Sequence, residues 1–257
     1  MSFKGIKNSR FIDRTGEIHF NKQGYSMKII EFFSSRNCTI QFENGVIFKN
    51  MQYGNVKLGN IKNPYHPTNY NIGYIGVGNF KTCVNNKDTI HYVRWHGLLT
   101  RCYNLKEQEK QPTYIGCLVD ERWHNFQNFA QWFEDNWKSH MIDWQLDKDI
   151  LCKGNKVYSP EACCLVPQEI NCLFTKTGAK RGQYPIGVFK NWNRFGAQML
   201  KYGNKTYLGT FGTPEEAFQA YKLAKEDYIK EVADKWRGKI TEQVYKALIN
   251  YKVEIDD

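Results

Sequence analysis

The chain lacks any apolar run approaching the roughly 18 residues that a membrane-spanning helix needs. Its first residues, MSFKGIKNSR, lack the apolar core of a secretory signal. A soluble, cytoplasmic protein with no membrane partner is therefore expected. None of the eight cysteines forms a CxxC pair, which argues against a zinc knuckle or a dithiol redox motif. Without an export signal the thiols are expected to stay reduced and to serve as small core hydrophobes. What is present is a 41% hydrophobic, 15% aromatic chain of 257 residues. That is enough for two or three packed domains, and it excludes wholesale disorder.

The formal net charge is +10, and its distribution carries more than its size. Residues 1–80 hold 10 basic against 4 acidic side chains, residues 81–173 hold 11 against 12, and residues 174–257 hold 15 against 10. Two basic ends suit a polyanion, whose binding is driven largely by counterion release. The acid-rich middle suits a hard divalent cation.

The expected fold class is α+β. A β-rich N-terminal domain spans 1–85, a helical segment with a ββα-like core spans 86–174, and a three-stranded sheet packed on a helix spans 184–257 with a helical extension. In the first domain a short helix is expected across Ser26 to Phe33. A hairpin follows, with Cys38 to Phe42 turning at Asn44-Gly45 and returning through Val46 to Phe48. The basic, aromatic segment Asn60 to Tyr74 is a structural loop or a contact for such a polyanion, DNA included. Tyr92, Trp95, Leu99 and Cys102 share one helical face, and Trp123, Phe126, Phe129, Phe133 and Trp137 form the stripe of a second helix; both stripes are expected to be core. Residues 144–174 read as strand, turn at Gly154-Asn155, strand, and a short helix from about Pro167. A basic linker spans Thr175 to Gln183. The last domain has strands at Ile186–Phe189, Phe195–Lys201 and Thr206–Phe211, with a Gly203-Asn204 turn. Thr213-Pro214-Glu215-Glu216 then supplies an N-cap, a proline at the first helical position and a capping-box glutamate.

The stretch from Tyr184 to Ala224 resembles the AP2 DNA-binding domain. The marks are Gly187-Val188, Phe195-x-Ala197, Leu208-Gly209-Thr210-Phe211, and Thr213-x-Glu215-Glu216-Ala217 followed by Ala220-Tyr221. The resemblance implies double-stranded DNA as partner and a sheet lying in the major groove with the helix behind it. Strand alternation then turns Phe195, Ala197 and Met199 to the helix, and Gln198 and Leu200 outward. Lys205 and Tyr207 are outward candidates, as are Lys190, Trp192 and Arg194 in the first turn. Arg194 and Gln198 match guanine and adenine edges, while Lys190, Lys201 and Lys205 suit phosphates.

Residues 144–174 resemble the HNH (His-Me finger) endonuclease core of phage, homing-like nucleases. Ser159-Pro160-Glu161 and Leu165-Val166-Pro167-Gln168-Glu169-Ile170-Asn171 carry the later part of the pattern. The resemblance implies a divalent metal, Mg²⁺ or Mn²⁺, held by Asp147 and Asn171 and assisted by Asp149. Leu146-Asp147-Lys148-Asp149 lacks the family's histidine, so Lys148 or Asp147 falls at the position of the general base. Lysine is a poor base unless desolvated; a metal-bound water is the other source of nucleophile. Two functions follow. One is a metal-dependent DNA endonuclease hydrolysing phosphodiester bonds. The other is a catalytically inactive DNA-binding regulator or blocker of host factors.

Overall fold

The computed structural model describes residues 12–174 and 183–255. Most of the basic linker expected at Thr175 to Gln183 lies outside the described residues. The class is mixed α+β, and the chain divides into two compact units. Of the described residues, the first comprises 12–96 and 124–129; the second comprises 97–123, 130–174 and 183–255.

In the first unit, strands β1 (Ile18–Phe20), β2 (Ser26–Ser34), β3 (Asn37–Phe42) and β4 (Ile47–Met51) form one antiparallel sheet in chain order. Its inner face is Met27, Ile29, Cys38, Ile40 and Phe42, closed by Val56 of the short helix α1 (Tyr53–Lys57). The helix expected across Ser26 to Phe33 is therefore strand β2. The reason is period: Met27 and Ile29 are fully buried while Lys28 between them is exposed and pairs with Gln41. That alternation is two-residue, not helical. A small exposed hairpin, β5 (Cys83–Val84) and β6 (Lys87–Asp88), precedes helix α2 (Ile90–Tyr103).

Helix α2 buries Trp95, Leu99 and Cys102 of the expected stripe and Leu98 beside them, while Tyr92 is half-buried. Asn104 caps α3 (Leu105–Lys110) by accepting from the N–H groups of Lys106 and Glu107. Helix α4 (Phe126–Asn136) begins three residues later than its aromatic stripe implies, because Trp123 sits in a separate 3₁₀ turn at Glu121–His124. Trp123, Phe126, Phe129 and Phe133 are nonetheless all core, while Trp137 falls just past the helix end and is half-buried.

The second unit contains two small sheets in its middle. Strand β7 (Leu118–Val119) pairs in parallel with β9 (Val157–Tyr158), while β8 (Gln145–Asp147) pairs antiparallel with β10 (Cys164–Val166). The strand after the Gly154-Asn155 turn is thus not the partner of β8, as the sequence pattern implied. The chain between Asp147 and Cys164 makes a long excursion before β10 returns, and helix α5 (Gln168–Asn171) follows directly.

The remainder is β11 (Val188–Asn191), β12 (Arg194–Lys201) and β13 (Asn204–Phe211), a three-stranded antiparallel meander, then α6 (Pro214–Lys235) and α7 (Glu242–Ile249). Thr213 caps α6 by accepting from the Glu216 N–H at 3.2 Å, and the Glu216 carboxylate accepts from the Gly212 N–H at 2.9 Å. Alanines and aromatics of α6 pack on one face of the meander. Gly187 shows why small residues are needed: its φ is +79°, and an added Cβ would lie 2.0 Å from the Tyr221 ring. Helix α6 is also tied to the middle of its unit. The Glu169 carboxylate accepts from Lys235 Nζ at 2.7 Å and from Trp236 Nε1 at 2.7 Å, and Trp144 meets Trp236 edge to face. No helix among the described residues is long and apolar enough to cross a membrane.

Candidate nucleic-acid interface

The two faces of the meander follow from its register. Ala197 and Met199 are buried beneath α6, so the residues between them, and their cross-strand partners, lie on the outer face. Gly196 pairs with Phe189 and Thr210, Gln198 with Tyr207, Leu200 with Lys205, and Arg194 with Asn191. The register shifts between Ala197 and Gln198, so Leu208 is the extra residue of a bulge. The bulge keeps Tyr207 and Thr210 on one face although they lie three positions apart in sequence.

This outer face gathers most of the side chains expected there. Arg194, Leu200, Lys205 and Tyr207 are exposed, and Gln198 is half-buried between its neighbours. Sequence alternation missed a supporting network around Thr210. The Tyr207 hydroxyl bonds the Thr210 hydroxyl, Asn191 Nδ2 donates to the same oxygen at 3.3 Å, and an Arg194 amino group reaches the Thr210 carbonyl at 3.5 Å. Phe189 was also missed. Its ring lies flat on Gly196, where an added Cβ would stand 2.4 Å from it. The signal for both was the cross-strand register, which the two-residue turns define once they are located.

Trp192 sits in the first of those turns with φ +52° and is 92% exposed. A bulky residue in the left-handed region costs about 1–2 kcal/mol, and full exposure of an indole recovers none of it. Strain of this kind concentrates where a ligand binds. The second turn is Tyr202-Gly203, with φ +49° and +77°, one residue earlier than the Gly203-Asn204 turn the sequence pattern implied.

Two of the expected lysines face the other way. Lys190 pairs with Phe195, the row that belongs to the α6 side, and its ammonium rests 4.2 Å from the centre of the Phe195 ring. Lys201 is two residues on from the buried Met199, and its ammonium is ion-paired to Glu231 of α6 at 2.6 Å. Bonding to Glu231 raises the Lys201 pKa, and bonding to Lys201 lowers that of Glu231. A role for Lys201 on the outer face is corrected by this pair. No carboxylate stands among the outer-face residues that the register defines, so Arg194 and Lys205 are uncompensated there.

The ββα segment is built differently from what its resemblance implied. Asp147 ends β8, and its Oδ1 accepts from the backbone N–H groups of Asp149 and Ile150 at 2.7 and 2.8 Å. Burial raises the Asp147 pKa against the pull of those two bonds. Lys148 is buried, with its ammonium donating to Asp149 Oδ2 at 2.7 Å and to the Asn155 carbonyl at 2.9 Å. Asn155 in turn donates to the Lys148 and Val157 carbonyls. Asn171 is the last residue of α5. Glu161 is held at the surface by the Arg122 guanidinium through bonds of 2.6 and 2.7 Å.

These residues do not fit a divalent cation as arranged. One carboxylate caps a turn, the other neutralises an ammonium, and that ammonium would repel a metal beside them. Among the described residues no three His, Cys, Asp or Glu side chains gather to hold an ion.

No protein-family model matches the chain, and no curated protein or solved structure matches it.

Proposed function

We propose that the chain binds double-stranded DNA through the outer face of its β11–β12–β13 sheet, in the manner of the AP2 domain that its sequence resembles. One observation carries this reading: the register sets Asn191, Arg194, Gln198, Lys205 and Tyr207 on a single face free of carboxylates, with α6 packed on the other. In the AP2 domain that the sequence resembles, a three-stranded sheet lies in the major groove. Arg194 and Gln198 then meet base edges, Lys205 meets a phosphate, and Trp192 extends past the strand ends towards the backbone.

Titration of a fluorescent duplex with the full chain tests the reading. Arg194→Ala is expected to weaken binding by about 1–3 kcal/mol, as loss of a base contact does. Lys201→Ala, which removes a cation turned to the helix, is expected to leave affinity nearly unchanged. Equal losses in both variants, or no duplex binding by the wild type, would reject the proposal.

A second reading, a DNA endonuclease of HNH type, is favoured by one observation: β8 and β10 pair antiparallel and lead into α5. Against it stands the donor set, in which Asp147 caps its own turn and Asp149 is bonded to the Lys148 ammonium. Supercoiled plasmid incubated with Mg²⁺ or Mn²⁺ decides it. Nicking lost in both Asp147→Ala and Asn171→Ala would support a nuclease, and an intact plasmid would leave the DNA-binding reading alone.

A further inference from the structure

We infer that the sheet favours A·T-rich duplex, with Leu200 packing on the C5-methyl groups of thymine. The inference rests on the DNA-binding reading above and names the sequence class that reading leaves open.

The outer face is less basic and more apolar than a simple phosphate-binding surface. Its cations are Arg194 and Lys205. Its apolar groups are Leu200, 56% exposed, Tyr207, 57% exposed, and Phe189, whose ring is pressed flat on Gly196. A lone exposed leucine is ordinary on a protein surface. Leu200 differs by position, because it stands in the acid-free face with Lys205 directly opposite it. Gln198 lies two residues back on the same strand and face, about 7 Å away.

The floor of the major groove offers hydrogen-bonding edges at every pair and one apolar feature, the thymine methyl. A glutamine carboxamide presents a donor and an acceptor in the spacing of adenine N6 and N7. Gln198 on an adenine therefore places Leu200 over a neighbouring step, where it meets either a thymine methyl or a polar edge. Over a cytosine the leucine would cover the N4 amino group, which then loses water without gaining an acceptor. Over a thymine it buries a methyl group, worth about fourfold in affinity by the transfer free energy of one methylene-sized group. Lys205 opposite Leu200 supplies the phosphate contact that holds this end of the ribbon at groove depth.

The test uses the full chain and four duplexes of one length: alternating A·T, the same with deoxyuridine for every thymidine, G·C, and G·C with 5-methylcytosine. Uracil differs from thymine only by the missing methyl, and 5-methylcytosine returns a methyl to the groove. We expect the A·T duplex to bind at least fourfold more tightly than its uracil counterpart, and methylation to strengthen G·C binding. Leu200→Ser, a change at an exposed site, is expected to abolish both differences and to strengthen binding of the unmethylated G·C duplex, because the cytosine N4 amino group is no longer covered. Equal binding of thymine and uracil duplexes would overturn the inference and leave the DNA-binding reading standing. A difference that survives in Leu200→Ser would also overturn it. Failure to bind any of the four duplexes would overturn the reading itself and the inference with it.

Discussion

Asp147 and Trp192 are held by opposite means, one part-buried and hydrogen-bonded to its own turn, the other exposed and in a left-handed conformation. Asp147 uses one carboxylate oxygen to cap the turn that leaves β8, while burial favours its protonated form. Asp147→Asn keeps that acceptor and removes the buried charge, so it is expected to leave stability at neutral pH unchanged or raised. Asp147→Ala orphans two N–H groups and is expected to cost about 1–3 kcal/mol. The sign of the pH effect follows from the raised pKa. Asp147 favours the fold most below the ordinary aspartate value of 3.8 and less as pH rises through its folded pKa. Urea unfolding of both variants across the acid range checks this, and Asp147→Asn should flatten the profile. Trp192→Asn relieves a left-handed residue that asparagine tolerates. It is expected to raise stability by about 1 kcal/mol while weakening duplex binding. A variant less stable than wild type would mean that the indole is held for structure.

At the scale of elements, the meander stands or falls with the fit of α6 against it. Gly187→Ala places a methyl inside the Tyr221 ring at a positive φ. Overpacking of this kind costs about 1–3 kcal/mol, with left-handed strain of about 1 kcal/mol added; thermal unfolding should show the loss, and Gly187→Ala combined with Tyr221→Leu should recover part of it. This part of the fold was legible because its signals agree: the Thr213 cap, Pro214, the alanine stripe and the alternation of Ala197 and Met199 all point one way. The outer placement of Gln198 and Leu200 was legible for the same reason. Lys190 and Lys201 were not, because a charge near a strand end reads alike on both faces until the turn sets the register. Strand β2 was misread because SMKIIEFFS mixes apolar and polar residues so that helical and strand periods overlap, and only pairing with β3 decides. The ββα segment was legible as elements and not as a site. A motif records which residues are present, whereas Lys148 bonding Asp149 and Asp147 capping its own turn are matters of where side chains point.

For the molecule as a whole, the tie between Glu169 and the end of α6 fixes the sheet to the middle of its unit. Burial works against ionisation of Glu169, yet the bonds from Lys235 and Trp236 prevail and its pKa falls below 4.5. Its contribution is therefore fully present above that value and is lost as pH falls through the lower folded pKa. Near neutral pH the sheet should act as one piece with the rest of that unit, and its outer face is where we propose that duplex DNA binds. Charge supports this: residues 174–257 carry 15 basic against 10 acidic side chains, and several of those acids lie on α6, away from the outer face. The most direct test is the salt dependence of duplex binding by the full chain, compared with an Arg194→Gln, Lys205→Gln double variant. We predict that log K falls linearly with log salt for the wild type. The slope should be smaller in the variant by about 0.9 for each phosphate contact removed. A wild type that does not bind duplex, or a variant whose slope and affinity match the wild type, would contradict the assignment of the DNA-binding face.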